Sequence, residues 1–151
     1  MRNIKFGIYV PQLAMSADDL AGRALDVERL GFSSLWLFDH LYGPGVPDLD
    51  AYEGWVLATT LLARTTSLRV GHLVNCNNFR HPALLAKMAT SLDVLSNGRL
   101  EFGIGSGSYE IEHHQAGLEW GSARERTERL GEALEIITRM FTSPRTSFAG
   151  K

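Results

Sequence analysis

Four short apolar runs alternate along the chain with longer stretches in which apolar residues return every three or four positions. The runs are IKFGIYV (4–10), SLWLF (34–38), LRVGHLV (68–74) and LEFGIG (100–105). They begin roughly 30 residues apart, about the length of one strand-plus-helix unit. Their nearly unbroken apolar character predicts strands covered on both faces, as in a parallel sheet.

The intervening stretches predict helices with readable ends. Ser16 caps a helix through Leu20, Ala24, Val27 and Leu30 that stops at Gly31. Asp50 and Glu53 have capping-box spacing ahead of WVLATTLLAR. Pro82 suits the first turn of PALLAKMATSLDVL, which Asn97-Gly98 closes. Ser122 and Glu125 open ARERTERLGEALEIITRMF, where Leu130, Leu134, Ile137 and Phe141 share a face.

Strand then helix, about four times, fits two architectures. One is a complete doubly wound domain of the flavodoxin type. The other is half of an eight-stranded β/α barrel, whose whole runs to about 250 residues. Pattern alone favours the small complete domain, because an open half-barrel leaves its outer strands unpaired.

Composition adds bounds. The chain's 151 residues suit one domain, taken as 1–151, and its 44% hydrophobic and 21% charged content is that of a soluble globular protein. A net charge of −2 gives no reason to expect nucleic acid or a membrane surface as partner. The N-terminal apolar run is too short for a signal peptide or a span, with Pro11 and Gln12 directly after it. A single cysteine, Cys76, forms no internal disulfide, which points to a reducing cytoplasm.

Ligands of parallel β/α folds bind at the carboxyl ends of the strands. Here those ends are Pro11-Gln12, Asp39-His40, Asn75 to Asn78, and Gly105 to Ser108, all polar or glycine-rich. His40 is the candidate proton-transfer group, since an imidazole titrates at about 6.5, and Asp39 can orient it or hold a ligand N–H. A capping Asp beside a surface His is the plainer alternative. GIGSGS (103–108) lacks the immediately following helix of a dinucleotide fingerprint, so close approach of a ligand ring accounts better for its glycines. Arg80 is read as a structural ion pair and His81 as a helix cap, with carboxylate or phosphate binding by Arg80 as the alternative. YEIEHHQAG (109–117) holds acids and histidines, but adjacent histidines do not share a helix face, so a mobile loop over the mouth is expected rather than a metal site. Trp36, Trp55 and Trp120 are read as core or edge aromatics.

Taken together, Asp39-His40, Arg80 to Ala86, Gly98 to Leu100, and Gly105 to His113 resemble the luciferase-like monooxygenase superfamily, in particular its coenzyme F420-dependent branch. The resemblance runs from about residue 4 to the end of the chain. It overrides the small-domain preference and implies an α/β fold that is the N-terminal half of a (β/α)8 barrel, with about four βα units and parallel strands. It implies an F420-dependent oxidoreductase acting on a small-molecule substrate, with FMN-dependent oxygenation as the alternative. Asp39 would meet the polar edge of the deazaflavin ring and His40 the substrate carbon. The ring would rest on a bulge after the third strand that in such relatives often holds a non-proline cis peptide, here near Leu73-Val74. Asn75, Cys76, Ser106 and Gly107 would line the ring and its ribityl chain. Ser108 stands where an aromatic residue is usual, or an acid in sugar-phosphate-oxidising relatives, which argues against that substrate. The chain ends at RTSFAGK, where the resembled proteins continue for about another half-barrel. It is therefore expected to be a truncated or split half that pairs with a missing C-terminal half or forms a homodimer, or else a catalytically silent assembly unit.

Overall fold

The computed structural model describes residues 4–150; residues 1–3 and 151 of the expected single domain lie outside it. Its elements run β1 (Gly7–Tyr9), α1 (Ala17–Arg29), β2 (Ser34–Leu37), α2 (Gly54–Arg64), β3 (Arg69–Cys76), a 3₁₀ turn (Asn77–Phe79), α3 (Pro82–Leu95), β4 (Leu100–Gly105), α4 (Glu110–Gln115) and α5 (Ala123–Thr142). The strands form one parallel sheet in the order β1-β2-β3-β4. Each new strand joins the same edge, which is how a β/α barrel winds. A flavodoxin-type sheet would instead place β1 between β2 and β3. Topology thus reverses the preference that pattern alone supports.

Residues opposite one another across the strands share a face. Tyr9, Trp36 and Gly71 lie on one side with Ser34, Arg69 and Glu101. Leu35, Leu37 and Val70 lie on the other, fully buried against the helices with Leu61, Leu85 and Ala89. Full burial of one such leucine contributes about 1.5–3 kcal/mol. The helix-free face is less covered: Tyr9 is half-exposed, and Arg69 pairs there with Glu101.

Ser122 and Glu125 form the expected capping box, and Ser16, expected as a cap, forms one with Asp19. On α1 the buried stripe is Leu20, Ala21, Ala24 and Val27, whereas Leu30 becomes the exposed C-cap. On α5 the buried positions are Ala133 and Ile137, with Leu134 and Phe141 about half exposed. The cap of α2 is Glu53, whose Oε2 accepts the Val56 N–H at 2.7 Å, not Asp50. Asp50 instead offers its backbone carbonyl to Ala14. Residues 109–117 contain α4, not a loop: Glu112 and His113 are buried, and that burial fixes the turn against the strand ends.

Gln12, at one of the strand ends where ligands of such folds bind, serves the backbone instead. It is 1% exposed, and its amide brackets Phe38, donating to the carbonyl at 2.8 Å and accepting the N–H at 3.2 Å. Its side chain thereby continues the β1–β2 pairing beyond the bond from the Val10 N–H to the Trp36 carbonyl. Among the described residues no helix is long and apolar enough to cross a membrane.

Candidate functional site

Four segments converge at the carboxyl ends of β2, β3 and β4. They enclose a cavity of about 340 Å³ lined by Asp39, His40, Leu73, Val74, Asn75, Cys76, Gly105, Ser106, Gly107, Ser108 and Glu112. That volume lies in the range of small-molecule sites. Every residue that the resemblance assigns to the ring or the substrate reaches this one cavity, although the segments are far apart in the chain, whereas Gln12 and Arg80 do not line it. A larger cavity of about 570 Å³ lies elsewhere, between the start of α3 and α5, and it takes Asn77, Asn78 and His81 away from the strand-end site. The smaller cavity is the candidate site, because the His40–Glu112 pair and bare glycine backbone meet there.

The third strand builds the floor. The β3–β4 register shifts between His72 and Asn75, and the Leu73–Val74 peptide is cis, at the position the resemblance implies. Leu73 and Val74 are 56% and 41% exposed, an apolar ledge facing the opening. Glycines keep the opposite wall thin: a Cβ on Gly105 would stand 2.8 Å from Val74 Cγ2, and one on Gly107 3.2 Å from the Trp120 ring. Gly107 also has φ +89, a conformation that side chains resist. Asn75 is fully buried, its amide donating to the Gly103 carbonyl at 2.7 Å, while its Oδ1 has no hydrogen-bond partner. A buried acceptor left unmatched costs about 1–3 kcal/mol. A ligand N–H or O–H in the cavity would supply that match.

Asp39 is 3% exposed and heavily engaged. Oδ2 accepts the Cys76 N–H at 2.8 Å and Arg80 Nη1 at 2.7 Å, and Oδ1 accepts Arg80 Nη2 at 2.9 Å. Arg80 also pairs with Glu53. Burial opposes the Arg80 charge, but its bonds to Asp39 outweigh that and raise its pKa. The structural reading of Arg80 is thus the one observed. So is that of His81, the N-cap of α3, whose Nδ1 accepts the Ala83 N–H at 3.2 Å.

His40 is the less enclosed member of the pair, its side chain 21% exposed, with Nδ1 2.7 Å from Glu112 Oε1. Sequence reasoning weighed Glu112 only as a metal candidate and missed this contact. The available signal was the Tyr-Glu-x-Glu-His block, but a span of 72 positions is invisible without the fold. Among the described residues no group of three or more His, Cys, Asp or Glu is placed to hold a metal.

Cys76 carries no activated thiol, since burial pushes its pKa up to about 11. Its Sγ lies 3.6 Å from His113 Nε2, and His113 Nδ1 lies 2.8 Å from the Tyr109 carbonyl. A carbonyl only accepts, so Nδ1 bears the proton and Nε2 is free to accept the thiol S–H. Trp120 packs edge-on to His113 at 4.6 Å and carries Arg126 over its ring at 3.7 Å. It is a structural aromatic, as is the buried Trp55.

The chain is thus a half-wound barrel with a glycine-walled, apolar-floored cavity beside a His–Glu pair. The family model of the luciferase-like monooxygenases matches residues 4–151, and the chain belongs to that family. It is 33% identical to the F420-dependent glucose-6-phosphate dehydrogenase of Amycolatopsis mediterranei, over 87% of this chain and 40% of the relative. It is 30% identical to the F420-dependent hydroxymycolic acid dehydrogenase of Mycobacterium tuberculosis, over 95% and 40%. Its fold matches that of an F420-dependent secondary alcohol dehydrogenase solved with an F420-acetone adduct, with a TM-score of 0.84 and 23% identity over 97% of this chain and 44% of the other. The chain thus spans about 40% of the length of the curated relatives it matches. In fold it is the N-terminal half of their TIM barrel.

Proposed function

We propose that this chain supplies the ring-binding floor and the proton-transfer group of an F420-dependent oxidoreductase, which moves a hydride between the deazaflavin and a small organic substrate. The observation that carries the reading is the single strand-end cavity, in which an apolar ledge, an orphaned buried acceptor and a histidine converge. The names of its relatives favour F420 over FMN.

The residues fit a flat, polar-edged ring. Leu73 and Val74 form the ledge beneath it, and Asn75 Oδ1 finds its missing donor on the ligand. Cys76, Ser106 and Gly107 line the ring and its ribityl chain, with Ser108 at the rim. Asp39 accepts three hydrogen bonds from the protein, and a carboxylate has about four lone-pair positions. The remaining one, on Oδ1, meets the polar edge. His40 faces the reacting carbon as acid or base. When bound, F420 supplies a two-electron hydride acceptor or donor; the protein supplies position and a shaped pocket. Both named relatives carry hydroxyl-bearing substrates in their names, so an alcohol–carbonyl pair is the substrate class. The buried thiol of Cys76 fits a reducing cytoplasm.

Titration of this chain with oxidised F420, read by fluorescence with FMN in parallel, tests the reading. Saturable F420 binding that weakens in Asn75→Leu, with the circular dichroism spectrum retained, is the expected result. Tighter FMN binding would overturn the choice of cofactor, and no binding of either would overturn the assignment of the ring site to these residues.

A second reading concerns partners. Phe6 and Ile4, beside the β1 edge, are 66% and 75% exposed, and Leu73 and Val74 are open on the floor. A second copy or a C-terminal half-barrel would cover such surface. Size-exclusion chromatography at two concentrations should show a stable dimer if copies pair; a monomer at both counts against a homodimer.

A further inference from the structure

Glu112 is 1% exposed, and its two oxygens serve the same short segment. Oε2 accepts the backbone N–H of Leu41 at 3.1 Å, and Oε1 lies 2.7 Å from Nδ1 of His40, the residue just before. A backbone amide only donates, so the Leu41 contact anchors one oxygen and leaves the other facing the imidazole. A carboxylate offers acceptors and no donor. Nδ1 must then carry the hydrogen, and in the neutral ring the lone pair must sit on Nε2. The imidazole lies beside two aromatic rings, with centroids 5.5 Å from that of Phe38 and 6.4 Å from that of Tyr109.

We infer that Glu112 is a positioning residue that locks His40 in its Nδ1–H tautomer and so makes Nε2 the nitrogen that exchanges a proton with the substrate hydroxyl. The inference rests on the proposed role of His40 and deepens it, naming the working nitrogen and the residue that selects it. In the oxidising direction the hydroxyl O–H bond breaks and its proton passes to Nε2. The carbinol C–H bond breaks and its hydride leaves to the cofactor, which gains two electrons as the alcohol becomes a carbonyl. The carboxylate then faces an imidazolium across 2.7 Å and stabilises it. Because Glu112 arrives on α4 and His40 follows β2, docking of α4 assembles the base.

Glu112→Gln separates this role from simple packing. An amide has one acceptor oxygen and two N–H donors. With its oxygen held by the Leu41 N–H, it presents a donor to Nδ1 and inverts the tautomer. Long-range proton–nitrogen spectra of this chain labelled at histidine, at a pH where the ring is neutral, read the tautomer directly. The expected result is Nδ1–H for His40 in the native chain and Nε2–H in Glu112→Gln. An Nε2–H ring in the native chain, or the same tautomer in both, would overturn the inference. Should the variant not fold, the native spectrum decides alone. These spectra need no cofactor, so failed F420 binding beside an inverted tautomer would sink the proposed function and leave this inference standing. F420 binding with no inversion would sink this inference only.

Discussion

Arg80, in the loop after β3, grips Asp39, at the end of β2, with both terminal nitrogens, at 2.7 Å to Oδ2 and 2.9 Å to Oδ1. The same Oδ2 holds the Cys76 amide, so one carboxylate ties the ends of two neighbouring strands to the loop that follows. Removing the cation would leave Asp39 buried and uncompensated. Arg80→Ala should therefore cost about 3–5 kcal/mol in urea unfolding, and Arg80→Lys should recover little, since an ammonium cannot bond both oxygens in the fork geometry. A loss below about 1 kcal/mol would show that the clamp contributes no more than a surface pair.

A second carboxylate makes acid stability predictable. Glu28 Oε1 accepts the amides of Thr66 at 2.9 Å and Leu68 at 2.8 Å, as well as that of Ser67. Burial alone would raise its pKa, but these donors bring it down to about 2 from its ordinary 4.5. A lowered folded value means that the stabilisation is complete above the unfolded value and drains away as pH falls from about 4.5 towards 2. Unfolding midpoints of the native chain should fall through that window, and those of Glu28→Gln should fall less steeply. Parallel curves would show that Glu28 gains nothing from the three amides.

The thiol of Cys76 should be inert. With burial pushing its pKa up to about 11, almost none is thiolate at neutral pH, and the thiolate is the nucleophile. Alkylation of the native chain at pH 8, followed by mass spectrometry, should lag far behind the same reaction in guanidinium. Equal rates would mean an accessible, ionisable sulfur.

Glycines should divide by location. A Cβ on Gly71 would stand 2.2 Å from the Glu101 carbonyl oxygen, on the neighbouring strand's backbone, whereas one on Gly22 of α1 would meet nothing within 4 Å. Gly71→Ala should destabilise by at least about 1–3 kcal/mol, as overpacking does. Gly22→Ala should stabilise by about 0.5–1 kcal/mol through helix propensity. Thermal unfolding of the two variants should shift in opposite directions.

Much of this was legible from local pattern. The four strands sit where the apolar runs lie, and β4 coincides with LEFGIG; Ser16 and Ser122 mark their helices because capping depends on residues three positions apart, and Pro82 marks its helix because a fixed φ and a missing N–H suit the first turn. Asp39-His40, Asn75-Cys76 and Ser106 to Ser108 meet in one cavity because βα connectivity already puts every strand's carboxyl end on the same side. Strand order lay beyond local pattern, since the same βα alternation serves a flat doubly wound sheet and a curling barrel. Only the pairing β1-β2-β3-β4 separates the two. Tertiary structure also decided the partners of the charged residues. Asp39 found Arg80, His40 found Glu112, and α4 took the place of a loop, because those choices depend on burial and on contacts between residues 41 and 72 positions apart. Periodicity shows which residues can leave water; which ion meets which in the space that remains is settled only when the elements pack.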